Sequence, residues 1–228
     1  MSLIDFMFKN KTKGFFIESG ADNGEDISNT LYFEVKRKWK GLLVEPNSRR
    51  FEELLSKNRK SYTINACLSI RPYPELMDFT NALGVGGISE VKASAKLQGF
   101  RAGLKGSANY YKSEAQCFPL IDILESIGNP PVDLFSLDVE GAEEAVLSHI
   151  PWNKVDIKVI LIEVEHSDKR AIITLLDRNG YSLYANLNEQ DCVFVRRDFL
   201  PSIPQLPEPP EQATTPEPAT TPGREKRT

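Results

Sequence analysis

The sequence predicts an α/β fold with a mostly parallel central sheet and a C-terminal antiparallel hairpin. Three observations carry that expectation. Short apolar runs without alternation, at Phe15–Ile17, Gly41–Val44, Val132–Phe135 and Lys158–Ile162, have the composition of strands buried on both faces. Segments with helical spacing separate these runs, and a βαβαβ order favours parallel strands. The last two extended stretches, Tyr181–Ala185 and Cys192–Phe199, alternate and flank the turn-rich LNEQD, which suits a hairpin.

Taken in order, residues 1–13 read as the end of a helix and a basic connector. The stretch GFFIESGADNG, Gly14 to Gly24, is a buried strand ending in Glu18 and a loop bounded by Gly20 and Gly24. Such a loop brings backbone close to a ligand with little side-chain bulk. Glu25 to Lys38 has helical spacing, with Asp26, Ser28 or Asn29 as cap and Leu31, Phe33 and Val35 on the apolar face. GLLVE is a second strand ending in Glu45, placed where a carboxylate accepts the ribose hydroxyls of a nucleoside. Ser48 is the expected cap of a helix over Arg49–Asn58, and Tyr62–Ser69 the third strand.

Beyond Ile70 the pattern weakens. Glu75–Asn81 reads as a strand, and the glycine-rich section that follows, to Tyr111, reads either as a lid or as a surface loop. Order returns with a helix over Leu120–Ile127 ended by Gly128. A strand ending in Asp138 and Glu140, a helix from Gly141 to Ile150 with an acidic first turn, and a strand over Lys158–His166 follow. Carboxylates at the ends of four strands, Glu18, Glu45, Asp138 and Glu163, converge on one edge of an open sheet, where such folds bind ligands.

Composition narrows the function classes. The chain has 228 residues and a formal net charge of −4, which speaks against a general nucleic-acid binder. Cys67, Cys117 and Cys192 show no zinc-site spacing, only His149 and His166 offer imidazole, and no metal is expected; the acids could at most hold magnesium or calcium weakly. The scattered cysteines suggest a reducing compartment, with Cys67 and Cys192 as small core residues. No apolar run is long enough to span a membrane. As it stands the chain reads as cytoplasmic, whereas a longer N-terminus carrying an anchor would place it in the ER, Golgi or endosomal membrane system. After Leu200 the proline-, threonine- and glutamate-rich composition, with its TTPEPATTP repeat, predicts a disordered tail over 201–228 behind a domain of 1–200. The tail is a candidate site for protein partners.

IESGADNG, LLVEPN, NACLS, VDLFSLDVEGAEEAVL and IEVEH together resemble the FkbM-type family of S-adenosylmethionine-dependent methyltransferases. SNTLYFE, GLLVEPN, LLSKNRKSY and IPWNKVDI are similar to its animal branch, which includes the Star-like regulators. The resemblance implies a Rossmann-like methyltransferase fold, S-adenosylmethionine as cofactor and a sugar, lipid-linked or other small-molecule acceptor, with O-methylation favoured. It implies that Glu18, Gly20, Ala21, Asp22 and Gly24 line the methionine end and the loop beneath it. Glu45 would hold the ribose, Pro46 and Asn47 the wall beside the adenosine, and Asn65 and Ala66 the adenine end. Asp138 and Glu140 match the DxEG motif near the methyl acceptor, where a carboxylate can orient a hydroxyl or take its proton. His166, at a strand end near that cleft, is a further candidate base. Two departures stand out: Ser136 occupies a position where many relatives have lysine, and Glu18 one where aspartate is commoner. A Star-like relative could instead keep the fold as a non-catalytic adaptor in membrane trafficking or receptor signalling.

Overall fold

The computed structural model describes residues 3–9, 11–82, 84–92 and 94–204. Most of the expected tail lies outside the described residues. The chain begins with α1 (Leu3–Met7), β1 (Phe15–Ser19), α2 (Leu31–Arg37), β2 (Lys40–Val44), α3 (Ser48–Ser56) and β3 (Tyr62–Ile64). A middle section holds β4 (Cys67–Leu68), β5 (Glu75–Asn81), β6 (Gly87–Ile88), α4 (Ala95–Leu104) and β7 (Tyr111–Phe118). The remainder is α5 (Leu120–Ser126), β8 (Val132–Leu137), α6 (Glu143–Ser148), β9 (Ile157–Glu163), α7 (Lys169–Arg178), β10 (Tyr181–Asn186) and β11 (Asp191–Arg196).

Seven strands form the main sheet in the order β10-β11-β9-β8-β1-β2-β3. β1 pairs in parallel with both β2 and β8, and β8 in parallel with β9. β11 enters between β9 and β10, antiparallel to both. The C-terminal hairpin is thus present, with its second strand wedged inward. Each inner strand feeds two cores. Ile17, Leu42, Phe135 and Ile160 belong to one face; Phe16, Leu43, Leu134 and Val159 belong to the other. Burial on both sides is why these strands read as unbroken apolar runs.

Several expectations need correction. The helix foreseen from Glu25 is only α2, entered at Thr30, whose own side chain makes no cap bond; Ser28 Oγ accepts from the backbone N–H of Thr30 and Leu31 while its hydroxyl donates to Glu18, and Asn29 donates its backbone N–H to Glu18. Val35 is exposed, and Phe33 is the residue α2 buries. Asn47 rather than Ser48 caps α3, its Oδ1 accepting from the backbone N–H of Arg49 and Arg50. The third strand breaks at Asn65, whose Nδ2 donates to the carbonyl oxygens of Glu45 and Pro46. With its polar group turned onto the second strand's end, the chain leaves the main sheet, and β4 joins another.

That other sheet is the largest departure from expectation. β4, β7, β5 and β6 form a four-stranded sheet in that order, so the glycine-rich section is structured. Leu97 of α4 is fully buried. Cys67 and Cys117, opposite each other on β4 and β7, form a disulfide, leaving Cys192 buried and free. This overturns the reading of unpaired thiols. The two cysteines are 50 residues apart in sequence, so only the pairing of β4 with β7 brings them together.

Candidate functional site

At β1 the main sheet reverses direction of build, with β2 and β3 on one side and β8, β9 and β11 on the other. Open α/β sheets bind ligands at the carboxyl ends of the strands beside such a switch point. A cleft lies there, lined by Ser19, Gly20, Asp22, Glu45, Pro46 and Asn47 on the β1–β2 side and by Asp138, Val139 and Glu140 after β8. Phe79, Ala82, Gly87 and Ile88 of the second sheet roof it.

The β1 loop is closed on itself. The backbone N–H groups of Gly20 and Ala21 both donate to the Val44 carbonyl at 3.1 Å, and that of Gly24 to Ala21 at 2.8 Å. That of Asp22 donates to Glu45 Oε2 at 2.8 Å. These four amides are therefore engaged inside the protein, and the loop has no nest of donors for a phosphate. Gly20 answers a different need: its φ is +84°, and a Cβ there would lie 1.9 Å from the Asp138 carbonyl oxygen. The first loop and the end of β8 cross at backbone contact.

Glu45 is 6% exposed, with Oε1 accepting from Asn47 N–H at 2.7 Å and Oε2 from Asp22. Burial pushes its carboxyl up to about 7, against the pull of those hydrogen bonds. Two amides fix the orientation of the carboxylate and leave each oxygen a lone pair toward the cleft. Asp22 itself is gripped by Arg50 in a two-point ion pair.

Across the cleft, Glu140 sits in the left-handed region at φ +57°, followed by Gly141 at +101°. Glu143, fully buried, accepts from the backbone N–H of Val139 and Gly141 and from Ser167, and so pins this turn. Burial raises Asp138 to about 7, with neighbouring acids adding to it. Glu140 and Glu163 are each raised to about 8, again chiefly by burial and then by acids nearby. Oxygens of Asp138, Glu143 and Glu163 all lie within 4.8 Å of one another. His166 Nε2 stands 3.5 Å from Glu140 Oε2, and its Nδ1 is 3.0 Å from Ser94 Oγ.

The residues named from sequence fall into two groups. Gly20, Asp22, Glu45, Pro46, Asn47, Asp138 and Glu140 line one cleft. Glu18, Ala21, Gly24, Asn65, Ala66 and His166 are not among the residues that line it. Glu18 is buried and accepts from Ser28 Oγ, Asn29 N–H and Thr30 Oγ1 at 2.6–2.8 Å, holding the loop 28–30 in place. Burial raises its carboxyl, and those donors oppose the shift. A Cβ on Gly24 would meet Leu54, and Asn65 ties β3 to β2. Ser136 is buried and accepts from Asn29 Nδ2 at 3.1 Å.

Sequence reasoning missed the roof. Arg101 of α4 donates through Nε to the Val85 carbonyl, while its Nη2 is buried without a hydrogen-bond partner among the described residues, as is Glu140 Oε2. Burial lowers the Arg101 pKa. A Cβ on Gly87 would lie 2.6 Å from Arg101 Nη2, so a side chain there would displace the guanidinium, whereas the Glu140 carbonyl oxygen at 3.6 Å is in ordinary contact. Tyr111 donates to Asn47 Oδ1 at 3.0 Å and lies under Arg49, 4.3 Å from guanidinium to ring centre, latching β7 to the cleft wall beyond β2. The glycine-rich composition masked these contacts, since no local periodicity marks a short strand paired over such distances.

This strand order, with its wedged antiparallel strand and its cleft at the switch point, is an α/β methyltransferase fold. The family model described as the methyltransferase FkbM domain matches residues 18–183, and the chain belongs to that family. No protein of curated function matches it. Among solved structures, it is similar to a methyltransferase FkbM from Methylobacillus flagellatus KT at 12% identity and TM-score 0.48, covering 82% of this chain and 44% of that one. It is also similar to M. capricolum TrmK solved with S-adenosyl-homocysteine, at 12% identity and TM-score 0.40, covering 86% and 67% of the two chains. For a TehB-like methyltransferase from Corynebacterium glutamicum ATCC 13032 Kitasato the values are 10%, 0.40, 85% and 86%. The chain thus spans under half the length of the FkbM structure it matches.

Proposed function

We propose that this protein is an S-adenosylmethionine-dependent methyltransferase that acts on a hydroxyl of a sugar, lipid-linked or other small-molecule acceptor. One observation carries the choice of cofactor. The four amides of the β1 loop that a dinucleotide's pyrophosphate would need are engaged internally, while the cleft is walled by Glu45, Asp138 and Glu140. A nucleoside that bears a cation and no phosphate suits that wall; a pyrophosphate does not. Glu45, oriented by two amides, accepts the ribose hydroxyls, and Pro46 and Asn47 flank the adenosine.

S-adenosylmethionine, when bound, supplies an electrophilic methyl on a cationic sulfur. The protein's part is to place the acceptor in line, exclude water and receive a proton. Glu140 lines the cleft, and its Oε2 is an acceptor without a hydrogen-bond partner among the described residues. An acceptor hydroxyl satisfies it, which supports O-methylation. As the acceptor oxygen takes that methyl group, its hydroxyl proton would pass to Glu140. Asp138 lies beside that path.

The test is calorimetric titration of the full chain with S-adenosylmethionine, S-adenosylhomocysteine and NAD. Binding of the first two and not the third, lost in Glu45→Ala, is the expected result. Binding of NAD alone would sink the assignment. Asp138→Asn should retain cofactor binding and lose turnover once an acceptor is found. The Star-like adaptor reading draws on Ser136, a buried serine that accepts from Asn29 Nδ2 where many FkbM-type relatives have lysine. A folded sample that binds no nucleotide would favour it. The Cys67–Cys117 disulfide supports work in an oxidising compartment, in line with the ER, Golgi or endosomal placement. Alkylation of protein from cells, before and after reduction, checks this: two protected thiols are expected, and three free ones would return the protein to the cytoplasm.

A further inference from the structure

Besides Gly87, Ile88, Arg101 and Tyr111, the chain between β6 and β7 approaches the site through Ser94. Ser94 is the N-cap of α4, and its Oγ accepts from Leu97 N–H at 3.2 Å. The same Oγ lies 3.0 Å from His166 Nδ1. On the far side of the ring, Nε2 is 3.5 Å from Glu140 Oε2, and the imidazole is nearly enclosed, with 8% of its side chain exposed.

A neutral imidazole carries one N–H, and its neighbours decide which nitrogen holds it. The cap bond takes one lone pair of Ser94 Oγ and leaves its hydroxyl hydrogen free to go to Nδ1. The tautomer is decided at Nε2, which faces a Glu140 oxygen that has no other donor among the described residues. A proton on Nε2 answers that oxygen, and Nδ1 then accepts from Ser94. Burial discourages a second proton on the ring, Glu143 favours one, and Lys96 and Arg101 add to the effect of burial.

We propose that Ser94, as a positioning residue donating to Nδ1, and Glu140 on the far side together hold His166 in the tautomer whose Nε2–H steadies the Glu140 carboxylate that receives the acceptor's proton. His166 then serves as the donor that holds the base and is not itself the base. The role rests on the methyl-transfer reading, whereas the tautomer does not. A consequence is that α4 and the proton-accepting carboxylate are linked through a single ring, and the roof must be seated for Glu140 to be held.

Only two histidines exist in the chain, so a His149→Gln background isolates His166 in long-range proton–nitrogen imidazole spectra. At about pH 9.5, above the ordinary imidazole range and above the raised Glu140 carboxyl, the ring is expected neutral with its proton on Nε2. Ser94→Thr should keep that pattern. Ser94→Asp keeps an N-cap acceptor but offers Nδ1 no hydrogen, so Nδ1 should become protonated. In Glu140→Ala the Nε2–H signal should lose its protection from exchange. A wild-type ring protonated at Nδ1, or a Ser94→Asp spectrum identical to wild type, would overturn the proposal. Titrating the same samples with S-adenosylhomocysteine separates the two readings. No binding alongside the expected tautomer removes the methyl-transfer role alone, and binding alongside an Nδ1-protonated ring removes the tautomer inference alone.

Discussion

Replacing Gly20 by alanine tests the backbone crossing on which the cleft depends. Gly20 and Gly128 share nearly the same left-handed conformation, φ +84° and +86°, yet a Cβ at Gly20 meets the Asp138 carbonyl at 1.9 Å whereas one at Gly128 meets nothing within 4 Å. Gly128→Ala therefore isolates the conformational cost, about 1–2 kcal/mol. Gly20→Ala adds a clash. Real Cβ contacts below 3.0 Å are essentially never seen, so 3.0 minus 1.9 leaves at least about 1.1 Å by which the loop and the end of β8 must separate. Overpacking of this kind costs about 1–3 kcal/mol more, for a total of about 2–5 kcal/mol. Urea denaturation of both variants measures the difference as a shift in midpoint at unchanged slope. S-adenosylhomocysteine titration of each folded variant reads the accompanying displacement of the cleft walls. Equal midpoint shifts for Gly20→Ala and Gly128→Ala would refute the crossing as the reason for glycine.

The pH dependence has a definite sign. Asp138 and Glu45 are raised to about 7, and Glu140 and Glu163 to about 8, so the folded protein holds protons that the unfolded chain releases near pH 4. Stability should thus be greatest on the acid side and fall as pH rises from about 4 to about 8; a melting temperature that climbs across this window would contradict it. Affinity for S-adenosylhomocysteine should rise through about pH 7 as Glu45 ionises, and Glu45→Gln should flatten that profile. Replacing Cys67 and Cys117 together by serine opens a loop of 50 residues and should cost about 4 kcal/mol by loop entropy. An unchanged melting temperature in non-reducing buffer would argue against the bond. Asp5→Ala should destabilise by about 1–3 kcal/mol, because buried Asp5 accepts from both Arg37 and Tyr32. Urea midpoints check it.

The main sheet and half the cleft were legible in the sequence for a physical reason. A strand buried on both faces must be apolar throughout, and a parallel strand must be followed by a crossover, so Phe15–Ser19, Lys40–Val44, Val132–Leu137 and Ile157–Glu163 announce themselves locally. Acids standing just past apolar runs mark the edge where ligands bind, which is how Glu45, Asp138 and Glu140 were found. What a carboxylate does there is not local. Glu18 and Glu45 look alike in sequence, yet Glu18 turns inward to Ser28, Asn29 and Thr30 while Glu45 faces the cleft between two amides.

The roof lay beyond local reading altogether. β4 and β6 are two residues long and are defined only by their partners, and the Cys67–Cys117 bond exists because β4 left the main sheet at Asn65. Ser94, Arg101 and Tyr111 carry no signature as site residues; their roles come from α4 and β7 folding back over strand ends far away in sequence. Local periodicity therefore determined the scaffold and its ligand edge. Tertiary contact alone decided which polar groups face that edge, because a side chain's partners across a sheet boundary leave no trace in the spacing of its own neighbours.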